Sequence, residues 1–253
     1  MTDRDDGRPK LAALRFLQRN TGLAGGPEDS ADGHSLARDL AWYPWLGLAV
    51  GLLTAGFFLP LGIIALPPHI AILLAMLWQC TLVGFRGERA LFAASSQLAP
   101  QASARQSALL VLLLLLKFSV LGQFFPQEAS RLLICSGITL YCIPVLCAPS
   151  VSAASGMPLR LPLPVVLQAL VVWLAALVWL CSPQVLEGEF APSAMRPVVV
   201  VAIAGTFSWL LMLDGKRRLA LPPGPLRSEI FAGSLAADCA VLTALLAARN
   251  VML

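Results

Sequence analysis

From Leu40 to Phe85 the chain contains no Asp, Glu, Lys or Arg, and a single His, His69. No one core helix of a globular domain is that long. A bilayer span takes about 20 apolar residues, so the stretch holds two spans with a break between them. Pro67-Pro68 supplies the break, because proline cannot continue a helix and the residue before it avoids helical geometry. Composition points the same way: 58% of the 253 residues are apolar and 13% are charged, where soluble domains carry about 25% charged residues. Too few polar side chains are present to cover a water-soluble globule of this length. Runs such as VLLLLL lack the period-two alternation of a transmembrane β-barrel. The expected fold class is therefore all-α, a polytopic membrane helix bundle.

Seven spans are expected, at Leu40–Ile64, His69–Phe85, Ser107–Gly122, Leu132–Pro149, Pro162–Cys181, Arg196–Leu213 and Glu229–Ala247. Residues 1–39 form a polar segment with six Lys/Arg against seven Asp/Glu, and residues 40–253 form a single transmembrane domain. The first segment has no apolar h-region before a cleavage site, so no secretory signal peptide is expected. With a cytoplasmic N-terminus, the loops after spans two, four and six carry Arg86, Arg89, Arg105, Arg160, Lys216, Arg217, Arg218 and Arg227. The opposite face carries Arg131, Arg196 and Arg249. Eight against three obeys the positive-inside rule. Glu128, Glu187 and Glu189 also fall on the opposite face and carry little topological weight. The expected location is the cytoplasmic, or inner, membrane of a bacterium.

Ahead of the spans, PKLAALRFLQRN opens with Pro9 and sets Arg15 and Arg19 on one helical face. It reads either as a short interfacial helix or as a disordered tail, and the following GLAGGPEDSADGHS reads as a loop. The six cysteines lie in or beside apolar runs without a C-x-x-C pair, which predicts packing residues in place of disulfides or zinc. No Walker A, G-x-G-x-x-G or G-x-S-x-G motif is present, and no nucleic-acid partner is expected. Gly47 and Gly51 form one G-x-x-x-G, a hint of close helix packing.

Ionisable residues inside a span are costly and tend to be functional. Two stand out, Lys117 in VLLLLLKFSVL and Asp238 in SLAADCAVL. On the expected boundaries each lies nine or ten residues from the cytoplasmic end of its span, about 14 Å deep. Equal depth and opposite sign predict one intramembrane ion pair. The alternative is two separate residues, Lys117 snorkelling and Asp238 hydrogen-bonded to a neighbouring helix. Arg86 with Arg89, and Lys216-Arg217-Arg218, form basic clusters suited to binding phosphate. The same residues serve topology and anionic lipid.

The order of segments resembles the cobalamin synthase family, polytopic adenosylcobinamide-GDP ribazoletransferases of about this length. Phe16 to Asn20 reads FLQRN, where the family has an F-L-T-R-L-P-like start. Trp42 to Gly51 reads WYPWLGLAVG, similar to YFPLVGLLLG. Leu112 to Leu121 reads LLLLLKFSVL, which places Lys117 on a typical family lysine. Ala237 to Leu246 reads ADCAVLTALL, with Asp238 where the family has a Glu. The resemblance implies transfer of the lower-ligand riboside or its phosphate to adenosylcobinamide-GDP, release of GMP, and magnesium as cofactor. It also implies membrane lipid and other corrinoid-pathway proteins as partners.

The chain departs from the family at its acidic motif, which resembles F-H-E/L-D-G-L-A-D-x-x-D-G. The matching stretch, Phe85 to Ser96, reads FRGERALFAASS, so Arg86 replaces the His and Glu88 the first Asp, while Phe92 and Ser95 take the other two acidic positions. The K-D-S-R-I-G signature is LAPQAS here, and the T-G-D-V-L-G-A pattern is LRSEIFA, with Glu229 beside the acidic position. Magnesium in phosphoryl transfer is held by carboxylates and substrate phosphate. By resemblance, Glu88 and Glu229 are the catalytic and metal-binding candidates. Arg86, Arg89, Lys216, Arg217 and Arg218 are the candidates for neutralising the substrate diphosphate. Three readings stay open: a divergent working transferase, a non-catalytic corrinoid-binding or scaffolding paralogue, and a small transporter.

Overall fold

A computed structural model describes residues 39–85, 103–155, 161–181, 234–235 and 237–246. Among these residues all regular structure is helical. Helix α1 spans Tyr43–Ile63, α2 Pro68–Val83, α3 Ser103–Leu121, α4 Pro126–Ser155 and α5 Leu163–Cys181. A last helix, α6, is described over Ala237–Leu246.

Local sequence explains most of the ends. Pro44 lies in the first turn of α1, where a missing N–H costs nothing, and α2 starts on Pro68 after an extended Pro67. Gly84 stops α2 in the left-handed conformation. Its N–H donates to the Thr81 carbonyl, and the Phe85 N–H donates to that of Cys80, the paired bonds of a Schellman motif. Helix α1 ends in the same pattern, but with Ala65 at a φ of 58°, a conformation that costs a residue with a Cβ about 1–2 kcal/mol.

Helix α4 differs from expectation. The reading above starts this span at Leu132 and ends it at Pro149, whereas the helix runs 30 residues from Pro126 to Ser155. Its start is fixed by Pro126 and by Glu128, whose Oε2 accepts the Phe125 N–H at 3.1 Å. That is the return half of a capping box.

Packing centres on α4, which lies chiefly against α1 and then α5. Gly47 and Gly51 of α1 face Gly137 of α4 across an interface with no room for side chains. A Cβ on Gly51 would sit 2.6 Å from the Ile134 carbonyl oxygen, and one on Gly137 would sit 2.6 Å from the Gly51 Cα. Beside this contact Tyr43 and Tyr141 meet edge to face at 5.5 Å. Helix α5 is fixed to α4 by the Trp173 indole N–H, which donates to Thr139 Oγ1 at 3.1 Å. At the end of the bundle where α4 starts and α5 stops, the Arg131 guanidinium lies 5.8 Å over the Trp179 ring.

Polarity is inverted relative to a water-soluble protein. Leu52, Leu53, Leu73, Leu77, Val111, Leu112, Leu115 and Val171 are exposed, while Thr54, Gln79, Lys117, Ser136, Thr139, Ser234 and Asp238 are buried. Helix hydroxyls turn back on their own backbones: Thr54 donates to the Val50 carbonyl and Thr243 to that of Cys239, each at 2.7 Å.

The span count needs correction. Among the described residues two helices, Tyr43–Ile63 and the Pro126–Leu146 part of α4, are long and apolar enough to cross a bilayer. The other apolar helices, Pro68–Val83, Leu110–Leu121, Leu163–Trp179 and Ala237–Leu246, are shorter. The described helices thus do not make the expected seven-span bundle. Helices α1, α2, α3 and α5 begin and end within four residues of the expected spans. The expected Arg196–Leu213 span and the N-terminal interfacial helix lie outside the described residues.

Candidate functional site

Four helices contribute one polar side chain each to a single buried cluster. Lys117 comes from α3, Gln79 from α2, Ser136 from α4 and Asp238 from α6. The Lys117 ammonium donates to Asp238 Oδ2 at 2.6 Å, to Ser136 Oγ at 2.8 Å and to Gln79 Oε1 at 2.9 Å. An ammonium carries three protons, so its donors are fully used. Lys117 is 3% exposed and Asp238 0%, so this is an ion pair sealed from solvent.

The remaining protons follow from the inventory of donors. Ser136 has one hydroxyl proton and two acceptors in reach, Asp238 Oδ2 at 2.9 Å and Gln79 Oε1 at 3.3 Å. The shorter bond to the charged oxygen prevails. Gln79 is oriented by its surroundings: its oxygen meets the ammonium, and its Nε2 donates a long bond of 3.4 Å to the Leu133 carbonyl. The reverse amide orientation would set an NH2 group against a cation. Asp238 Oδ1 is buried and has no hydrogen-bond partner. Next to Asp238, the Cys239 thiol reaches the Leu113 carbonyl of α3 at 3.4 Å, a second tie between α6 and α3.

The two charges meet at 2.6 Å, and the start of α6, from which the depth of Asp238 is counted, lies outside the described residues. Lys117 lies fourteen residues after Ser103 and four before Leu121, hence about 6 Å from the nearer helix end. Ser136 lies ten residues into α4, about 15 Å from the start of that helix. The Lys117 ammonium is turned into the buried cluster and away from the surface, the reverse of snorkelling. Gln79 and Ser136 are members of the cluster that sequence reasoning missed. Their signal was an uncharged polar residue inside an apolar run, LWQCTLV in one case and LICSGITL in the other.

Lys117 and Gln79 also border a small cavity with Met76, Cys80 and Leu235, whose free space of about 10 Å³ admits about one water molecule. A corrinoid ring has no room there. The cluster is accordingly a joint of the bundle and not a substrate pocket.

The loop candidates Arg86, Glu88, Arg89, Lys216, Arg217, Arg218 and Glu229 all lie outside the described residues. Among the described residues no group of three His, Cys, Asp or Glu side chains stands together to hold a metal ion. The charge of Asp238 is answered by Lys117, and the Glu128 carboxylate caps α4. Neither of these two carboxylates stands in a set of several hard oxygen ligands of the kind magnesium takes. Cys80, Cys135, Cys142 and Cys239 form no disulfide.

No protein-family profile, curated protein or solved structure matches this chain.

Proposed function

We propose that this chain is a membrane-embedded helical protein of the cobalamin synthase type. In this reading it handles corrinoid phosphates at the cytoplasmic membrane surface as an adenosylcobinamide-GDP ribazoletransferase. The observation that carries the reading is the meeting of Lys117 and Asp238 at 2.6 Å. The two residues stand in LLLLLKFSVL and ADCAVLTALL, two of the stretches through which the chain resembles that family. The membrane location is supported by the apolar exterior around a polar centre and by two helices of spanning length. The shorter apolar helices complete the bundle within the bilayer. In the reaction, the lower-ligand riboside or its phosphate attacks the phosphate nearest the cobinamide arm, and GMP leaves. Arg86, Arg89 and Lys216 to Arg218 neutralise the diphosphate, where electrostatic stabilisation matters most. Magnesium enters this reading only through Glu88 and Glu229.

One observation favours a second reading, a non-catalytic corrinoid-binding paralogue. Phe92 and Ser95 stand at two of the three acidic positions of the family pattern, and neither replaces a carboxylate. The experiment is GMP release by the full chain in nanodiscs, given adenosylcobinamide-GDP, lower-ligand riboside phosphate and magnesium. Turnover that disappears in Glu88→Ala is the expected result. Corrinoid binding without turnover would establish the paralogue instead, and absence of both would overturn the family reading.

A further inference from the structure

The cluster is built from two halves that differ in what each has without the other. Lys117 is held by Gln79 and Ser136, acceptors on α2 and α4, and these belong to the same early part of the chain. Asp238 arrives 102 residues after Ser136 and 121 after Lys117. Its own helix offers it nothing: every hydrogen bond the carboxylate receives comes from Lys117 or Ser136, through Oδ2, and Oδ1 has no partner. A helix with a buried carboxylate is a poor solute for lipid on its own.

Resting on the membrane reading above, we infer that the Lys117 ammonium, pre-set by Gln79 and Ser136, is the socket that admits α6 to the bilayer and holds it there. Synthesis runs from the N-terminus, so the earlier helices assemble first. They present an ammonium that lacks only its counter-charge. The carboxylate of α6 enters after them, neutralises it, and acquires in the same step the two donors that make its own burial tolerable. The Cys239 to Leu113 contact then fixes the register of α6 on α3. Helix α6 is thus a docked element whose place in the membrane depends on a residue of another helix.

The test uses the full chain expressed in membranes with a protease-cleavable tag after residue 253, read from each side of sealed vesicles. Carbonate extraction reports integration of the whole chain. In the wild type the tag occupies one side and the chain resists extraction. Lys117→Met is expected to redistribute the tag at least five-fold while the chain stays carbonate-resistant. The double variant Lys117→Met with Asp238→Leu is expected to return the tag to its wild-type side, since neither charge then needs a partner. Wild-type tag placement in Lys117→Met would overturn the inference, as would a double variant as misplaced as the single one. A wild-type chain that carbonate extracts would instead remove the membrane reading on which the inference stands.

Discussion

At the scale of single residues, the Lys117 cluster illustrates how little a buried charge owes to its own helix. The ammonium has three protons and finds three oxygens, each on a different helix. Hydrogen bonds to a charged group contribute about 1.5–3 kcal/mol each. Gln79→Leu removes one acceptor, and with it the bond to Leu133, while keeping most of the side-chain volume. It is expected to lower stability by about 1.5–3 kcal/mol, measured by reversible unfolding in mixed micelles. An unchanged midpoint would show that the amide is incidental to the cluster. Lys117 and Asp238 were legible in the sequence because a charge inside an apolar run has few explanations. Gln79 and Ser136 were not, because an uncharged polar residue can satisfy itself locally, as Thr54 does against Val50.

Individual helices show why boundaries resist hydropathy. Helix α4 starts at Pro126 because Glu128 reaches back to the Phe125 N–H, a signal of three residues that an apolar window averages away. Pro67-Pro68 is sharper punctuation, and its break falls where the sequence places it, whereas Gly84 stops α2 inside the expected His69–Phe85 span. The G-x-x-x-G of α1 was legible as a packing face, though not its partner, since Gly137 is a lone glycine among larger residues in α4. Gly51→Ala is expected to destabilise the bundle by about 1–3 kcal/mol, the usual cost of overpacking, because its methyl would meet backbone at 2.6 Å. Gly56→Ala on the same helix is the control. Nothing lies within 4 Å of its would-be Cβ, and alanine suits a helix better than glycine by about 1 kcal/mol. Thermal unfolding of the two variants should shift in opposite directions, and equal shifts would contradict the packing described.

At the scale of the whole molecule, the decisive property of the described helices is a greasy exterior around a polar centre. Leu53 is 57% exposed and lies midway along α1. Leu53→Lys should therefore impose the cost of a charge at mid-bilayer, about 2.5–3.5 kcal/mol on insertion scales. Membrane-integrated yield would fall sharply, whereas in an aqueous setting the same change would improve solubility. Helix α4 ties this architecture together. Within one turn Ser136 serves the ion pair, Gly137 admits α1, and Thr139 accepts the Trp173 indole of α5. Those three positions answer to α1, α3, α5 and α6 at once, so they can change only in step with residues on separate helices. A lineage carrying this fold should drift fastest on the lipid-facing leucines and hold Ser-Gly-x-Thr almost still. That tetrapeptide, rather than the long apolar runs, is then the signature by which distant kin would be found.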